Sequence, residues 1–352
     1  MIELRSDSLV FSFPEVHPSA QLTIHLQRTL RIPDDDRVYP LPPGLGRFPL
    51  QHVDDFAKRV PGQWIEHGGV MFPMYQSEAM WICFSADYDD EREACYPFAI
   101  KIAAGKINAV SGKEWEFGLS REEQDYVVAP KQPWMDGYCV KKGEIRQFVA
   151  MPLGSGYSAE EQLTGKAEHG GLQIMAFPMK REVYEKRFPK VVKRVREDAL
   201  NSMQEEPHAM YCLNDAPCSM GLAPGGRMKQ EIYDDPYEYG DWDLGHCSRC
   251  FAHITNSMVW RSITGENPPT TPPTAEEYSR VKLPWFDWYN DYLKPLDGSE
   301  TLRGMKSVVE LGKEKGDVPL PENESVDPDN IVKLRNGLKP GQVREWRGRC
   351  AV

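Results

Sequence analysis

GYCVKKGEIRQFVAMPL, residues 137–153, decides how this chain is read. Two apolar runs flank Lys142-Gly143, and a glycine free to take a positive φ between such runs marks a tight β-hairpin. YPFAIKIAAGKINAV (96–110) repeats the arrangement around Gly105-Lys106. Working outward, LVFSF (9–13), QLTIHLQRTL (21–30), GGVMFPMY (68–75), AMWICFSA (79–86), DYVVA (125–129) and GGLQIMAFPM (170–179) are further runs of β-branched and aromatic residues. Clusters of Pro, Gly and Asp separate them, so the first 180 residues read as strands.

Short helices are announced by capping boxes, in which a hydroxyl accepts from an early helical N–H and a carboxylate three residues on reaches back. Ser120 with Glu123, Ser158 with Glu161 and Thr274 with Glu277 fit this pattern. With 29 Pro, 28 Gly, 15 Tyr and 9 Trp in 352 residues, the composition favours strands and turns over long helices. The expected fold class is α+β, mainly antiparallel β with short helices and long, irregular Pro/Gly-rich connections. Three regions are expected: a β-rich domain over 1–180, an α+β region over 181–312, and an extended C-terminal arm over 313–352 that is poor in large apolar residues.

A formal net charge of −11 opposes binding to a polyanion. The basic run KREVYEKRFPKVVKRVR (180–196) reads as a solvated helix face, and no nucleic-acid partner is expected. Glu3, Arg5 and Asp7 stand where a secretory signal would place its apolar core, and no window approaches the length of a membrane span. A soluble, cytoplasmic protein without a membrane partner is therefore expected. In a reducing compartment its eight cysteines read as thiols or metal ligands and not as a disulfide framework.

Chemistry concentrates in residues 208–253, which hold four cysteines, three histidines and a glycine-rich segment. Cys247 and Cys250 form CxxC, flanked by His246 and His253, with Cys212 and Cys218 upstream. Zinc takes four nitrogen or sulfur ligands in a tetrahedron, so the two cysteine pairs are candidate ligands and the two histidines secondary ones. CLNDAPC has a longer spacing than such pairs normally show, and buried ordinary thiols or a redox CxxC remain as readings; no cofactor, or zinc, is the expectation. Gly225, Gly226 and Arg227 are a candidate anion-binding nest, with a tight turn as the plainer reading.

Elsewhere, EHGGVMFPM from Glu66 is echoed by EHGGLQIMAFPM from Glu168, either as a trace of duplication or as shared turn-then-strand chemistry. No GxSxG nucleophile elbow accompanies these glycines, which argues against a hydrolase. LPWFDWYNDYL gathers Trp285, Phe286, Trp288, Tyr289 and Tyr292, which with Trp346 in the arm form either core or a partner interface.

RQFVAMPLGSGYSAEEQLTGKAEHGGLQI (146–174), APGGRMKQEIYDDPYEYGDWD (223–243) and ITGENPPTTPPTAEEYSRVKLPWFDWY (263–289) resemble stretches of a family of microbial proteins with no assigned activity, some of which carry a ubiquitin-like segment. The resemblance implies that the middle and C-terminal parts form one recurring soluble module, and it brings no activity to carry over. The chain here ends RGRCAV, without a diglycine tail. Two functional readings follow. One is a non-enzymatic binding or assembly protein that uses the aromatic segment and the arm to meet a protein partner or another copy of itself. The other is a metal- or thiol-dependent enzyme with its site in 208–253.

Overall fold

Both glycine turns close two-residue hairpins in the computed structural model, which describes residues 1–191, 219–290, 292–317 and 324–335. Strand Phe98–Ala104 turns at Gly105-Lys106 into Ile107–Asn108, with Ala104 opposite Ile107. Strand Gly137–Lys141 turns at Lys142-Gly143 into Glu144–Pro152, with Lys141 opposite Glu144. Gly105 at φ 57° and Gly143 at φ 73° take the left-handed conformation that such turns require and side chains resist.

Antiparallel pairing continues from these hairpins into one connected sheet. Ile2–Leu4 pairs with Leu9–Ser12, that strand with Gln21–Thr29, and that one with Ala79–Ala86. Met80 and Ala79 then lead into Glu144–Pro152, which runs beside Ser219–Met228. Ser248–Asn256 follows, then Leu172–Pro178 and Phe98–Ala104. Among the described residues two pairings in this sheet are parallel: Val70–Met74 beside Ser248–Asn256, and Val38–Tyr39 beside Ser219–Met228. The result is β-rich and mostly antiparallel, with a few short helices on it.

The boundary expected near residue 180 falls inside this sheet, because Ser219–Met228 and Ser248–Asn256 pair with strands from the first 180 residues. One cluster of buried side chains likewise runs from Leu9 through Ile174 and Ile254 to Val326. In Gln21–Thr29, Leu22, Ile24 and Leu26 are fully buried and alternate with half-buried neighbours. Phe98–Ala104 and Leu172–Pro178 are buried along their whole length, as strands covered on both faces must be.

Two capping boxes nucleate helices as expected, Ser158 before Ala159–Thr164 and Thr274 before Ala275–Arg280. At Ser120 no helix forms: its N–H donates to the Asp125 carboxylate at 2.9 Å and the segment bends. The glycine-rich segment expected as a loop or nest is instead the strand Ser219–Met228. Part of the C-terminal arm lies on the body: Ile331–Arg335 pairs in parallel with Trp285–Tyr289, and Arg37 meets Asp327 at 2.6 Å. Among the described residues no helix is long and apolar enough to cross a membrane.

Candidate functional site

The two Glu-His-Gly-Gly turns meet in space. Helix Gly62–His67 ends at Gly68 and Gly69, with φ of 64° and 87°, and delivers the chain into Val70–Met74. The second turn passes through Gly170 and Gly171, with φ of 58° and 57°, into Leu172–Pro178. These two strands flank Ser248–Asn256 on opposite sides. A Cβ on Gly69 would stand 2.2 Å from the Phe251 carbonyl oxygen, and one on Gly171 2.6 Å from that of Ala252. Glycine is thus needed in both turns for conformation and for backbone approach.

The histidines of both turns consequently gather beside that central strand. His67 stacks on His169 with ring centroids 5.3 Å apart, and on Phe251 at 4.5 Å. His253 stacks on Trp64 at 4.8 Å, and its Nε2 lies 3.0 Å from the Gly68 carbonyl. Burial drives the His253 pKa down to about 4. Burial, then the neighbouring His169 and Arg249, also lowers that of His67. At these distances two protonated rings would repel, which is part of why the His67 and His253 pKa values are lowered.

His169 is held by Glu160, whose side chain is 1% exposed. The Glu160 carboxylate accepts from the backbone N–H of Gly170 at 3.0 Å and of His169 at 3.2 Å, and its Oε1 is 3.3 Å from His169 Nδ1. Glu168 approaches from the same turn, bound by Lys106 and by Lys166. One ligand atom from each of Glu160, Glu168 and His169 lies within 4.8 Å of the others. Among the described residues this is the side-chain group that could hold a metal ion.

A second locus is an apolar cleft. Strand Ala79–Ala86 presents Trp81, and Trp134, opposite Cys83 on a neighbouring strand, meets it edge to face with centroids 6.0 Å apart. Pro42, Pro43, Phe286 and Leu334 complete the walls, and Asp136 contributes to the lining. Gly44 is tight beneath Trp81, whose ring would stand 3.2 Å from a Cβ there. Asp136 is 2% exposed. Its carboxylate accepts from Gln230 Nε2 at 2.6 Å and from the Trp134 side chain, while burial pushes its pKa up to about 7. The indole Nε1 of Trp81 is buried and has no hydrogen-bond partner among the described residues.

The structure divides the residues singled out from the sequence. Trp285 and Trp288 belong to the core, Trp288 packing on Trp134 at 4.8 Å. Phe286 forms part of the cleft wall, Tyr289 is half-buried and Tyr292 is exposed. Trp346, Cys212 and Cys218 lie outside the described residues. Cys250 is buried on Ser248–Asn256, and burial raises its thiol to about 12; burial and Asp243 raise that of Cys247. In these surroundings both thiols stay protonated at neutral pH. His246 pairs with Asp243 at 2.9 Å.

Gly225 and Gly226 serve close packing, since Cβ atoms there would meet Val149 Cγ2 at 2.5 Å and the Pro33 carbonyl at 2.4 Å. Arg227 lies 3.6 Å from Glu144 and 4.0 Å from Asp36, so carboxylates already answer its charge. Sequence reasoning did not single out Glu160, Asp136, Trp81 or Trp134. For the histidine cluster the repeated Glu-His-Gly-Gly was the available signal.

Compared with known proteins, the chain matches no family model, no curated protein and no solved structure. What the fold itself defines is a β-rich α+β protein.

Proposed function

We propose that the protein is a non-enzymatic binding protein and that its recognition element is the cleft lined by Trp81 and Trp134. The carrying observation is a buried carboxyl, Asp136, with a pKa of about 7 in an otherwise apolar, aromatic-walled cleft. Apolar clefts with one or two convergent polar groups are the usual form of small-ligand sites. The ligand is an apolar or aromatic group bearing a basic nitrogen. Indole faces attract a cation, and Asp136 supplies the counter-charge once it releases its proton. Phe286 and Leu334 bring the aromatic segment and the C-terminal arm into the same site, so the arm contributes to recognition.

A ligand-observed NMR screen of aryl and alkyl amines beside their uncharged isosteres tests this reading. Amines should bind in preference to the isosteres, compete with one another, and lose binding in a folded Trp134→Ala or Trp81→Ala variant. Absence of amine binding, or binding that both variants leave unchanged, overturns it.

A further inference from the structure

We infer that Glu160, Glu168 and His169 form a site for a divalent transition-metal ion, with zinc the best match to the donors. Two carboxylates and an imidazole with ligand atoms within 4.8 Å of one another stand at most about 1.5 Å beyond the roughly 3.3–3.6 Å ligand–ligand spacing of a tetrahedral shell with bonds of about 2.0–2.2 Å, a gap that small side-chain rotations close. The imidazole separates this set from the all-oxygen shells that magnesium and calcium take, and suits zinc and its neighbours. Three protein ligands leave a fourth tetrahedral position for water or a ligand.

Two further observations point to an ion. Glu160 is a carboxylate almost without solvent contact, and within 4.0 Å its ion-pair partner among the described residues is His169. A buried carboxylate normally has a full cationic partner or coordinates a metal. The backbone N–H groups of His169 and Gly170 occupy only part of its acceptor capacity. The His169 Nδ1 atom is also buried, 3.3 Å from Glu160 Oε1, and has no hydrogen-bond partner among the described residues. The surroundings preserve this arrangement. A Cβ on Gly105 would stand 2.4 Å from Glu160 Oε2, so that glycine keeps the space open, and the stacked His67 ring fixes the plane of His169.

Lys106 and Lys166 now neutralise Glu168. Their side chains are 32% and 63% exposed, so both can swing into water, and exposed pairs of this kind are worth little. A dication arriving at Glu160 and Glu168 would repel the Lys106 ammonium and take its place. Entry of the metal is therefore an exchange of cations at Glu168.

The test is calorimetric titration of the full, chelator-stripped protein with Zn²⁺, beside Glu160→Gln, His169→Phe, Lys106→Met and the double variant Cys247→Ser/Cys250→Ser, all checked for folding by circular dichroism. Wild type should bind Zn²⁺. Glu160→Gln and His169→Phe should each weaken that binding by about tenfold or more, a loss that even outer-shell changes cause at metal sites. The cysteine variant should leave it intact. Lys106→Met should strengthen it, which no purely structural role for the ion pair would produce. With Co²⁺ as probe, the near-ultraviolet spectrum should lack the sulfur-to-metal charge-transfer band of cysteine ligation. A wild type that binds no Zn²⁺, or binding unchanged in Glu160→Gln and His169→Phe, overturns the assignment. So does binding lost in the cysteine variant.

Discussion

The imidazoles of His67 and His169 lie nearly parallel, their planes inclined by 19° and their centroids 5.3 Å apart. They meet because two turns of identical sequence enter the strands on either side of Ser248–Asn256, one parallel to it and one antiparallel. Long-range strand pairing, with two glycines in each turn, therefore builds the cluster that also contains His253, Phe251 and Trp64. Rigid backbone fixes the rings, and burial keeps His253 uncharged.

That backbone is vulnerable at its glycines. Gly69→Ala would force a side chain into φ 87° and onto the Phe251 carbonyl, combining backbone strain with overpacking. We expect a loss of about 3 kcal/mol or more in urea unfolding, by the sum of those two costs. Gly68→Ala, where nothing lies within 4 Å of the added Cβ, should cost only the backbone strain at φ 64° and ψ −152°, about 1–3 kcal/mol and less than Gly69→Ala. Equal losses at the two positions would show that contact with the central strand is not what Gly69 serves.

His253 makes folding sensitive to acid. Its folded pKa of about 4 lies below the ordinary 6.5, so between these values the unfolded chain binds a proton that the folded one refuses. Stability should fall as pH drops from about 6.5 towards 4, by about 3 kcal/mol for a shift of this size. His253→Gln, which can still donate to the Gly68 carbonyl, should remove that share of the decline. Unfolding curves for the two proteins that stay parallel across the window would contradict it.

Local patterns revealed much of the fold and little of the site. The turns at Gly105 and Gly143 were legible because only glycine takes their φ cheaply, and Leu22, Ile24 and Leu26 because one face of their strand is buried. Ser120 misled because Asp125, not visible as its partner in a local pattern, claims its N–H. The run through Gly225 and Gly226 looked like a loop because the sequence does not record that Val149 and Pro33 press against those positions. Asp136 reads as an ordinary turn acid in WMDG, and its burial is a product of non-local packing. The echoed Glu-His-Gly-Gly was the trace of the histidine cluster, uninterpretable until strand order placed both copies beside Phe251.

Asp136 should give the opposite pH response to His253. Its folded pKa of about 7 lies above the ordinary 3.8, so in this interval the folded state keeps a proton that the unfolded state releases. Stability should decline as pH rises from about 4 to about 7, by about 4 kcal/mol, and then level off. Relative to wild type, Asp136→Asn should gain stability across that rise. The windows of Asp136 and His253 overlap with opposite sign, so each effect is read against its own variant and not from the wild-type profile. A constant difference between Asp136→Asn and wild type at about pH 5 and pH 8 would refute the prediction.

A buried ion pair anchors the segment that follows the Gly105 hairpin. Lys101 Nζ lies 2.6 Å from Asp125 Oδ2, with side chains 2% and 9% exposed. It also donates to the carbonyls of Glu116 and Gly118, each at 2.8 Å. Lys101→Met preserves most of the volume but strands a buried carboxylate and two carbonyl groups, so we expect a loss of about 3–5 kcal/mol. Asp125→Asn should also destabilise, because the ammonium would then be buried without its counter-charge and the Ser120 N–H would face an amide. Removing both charges together should cost less than the sum of the single losses, since each single variant includes the penalty of isolating the other charge. Denaturant unfolding of all four proteins measures that coupling, and strictly additive losses would mean that the carbonyl contacts, and not the ion pair, hold the segment to the sheet.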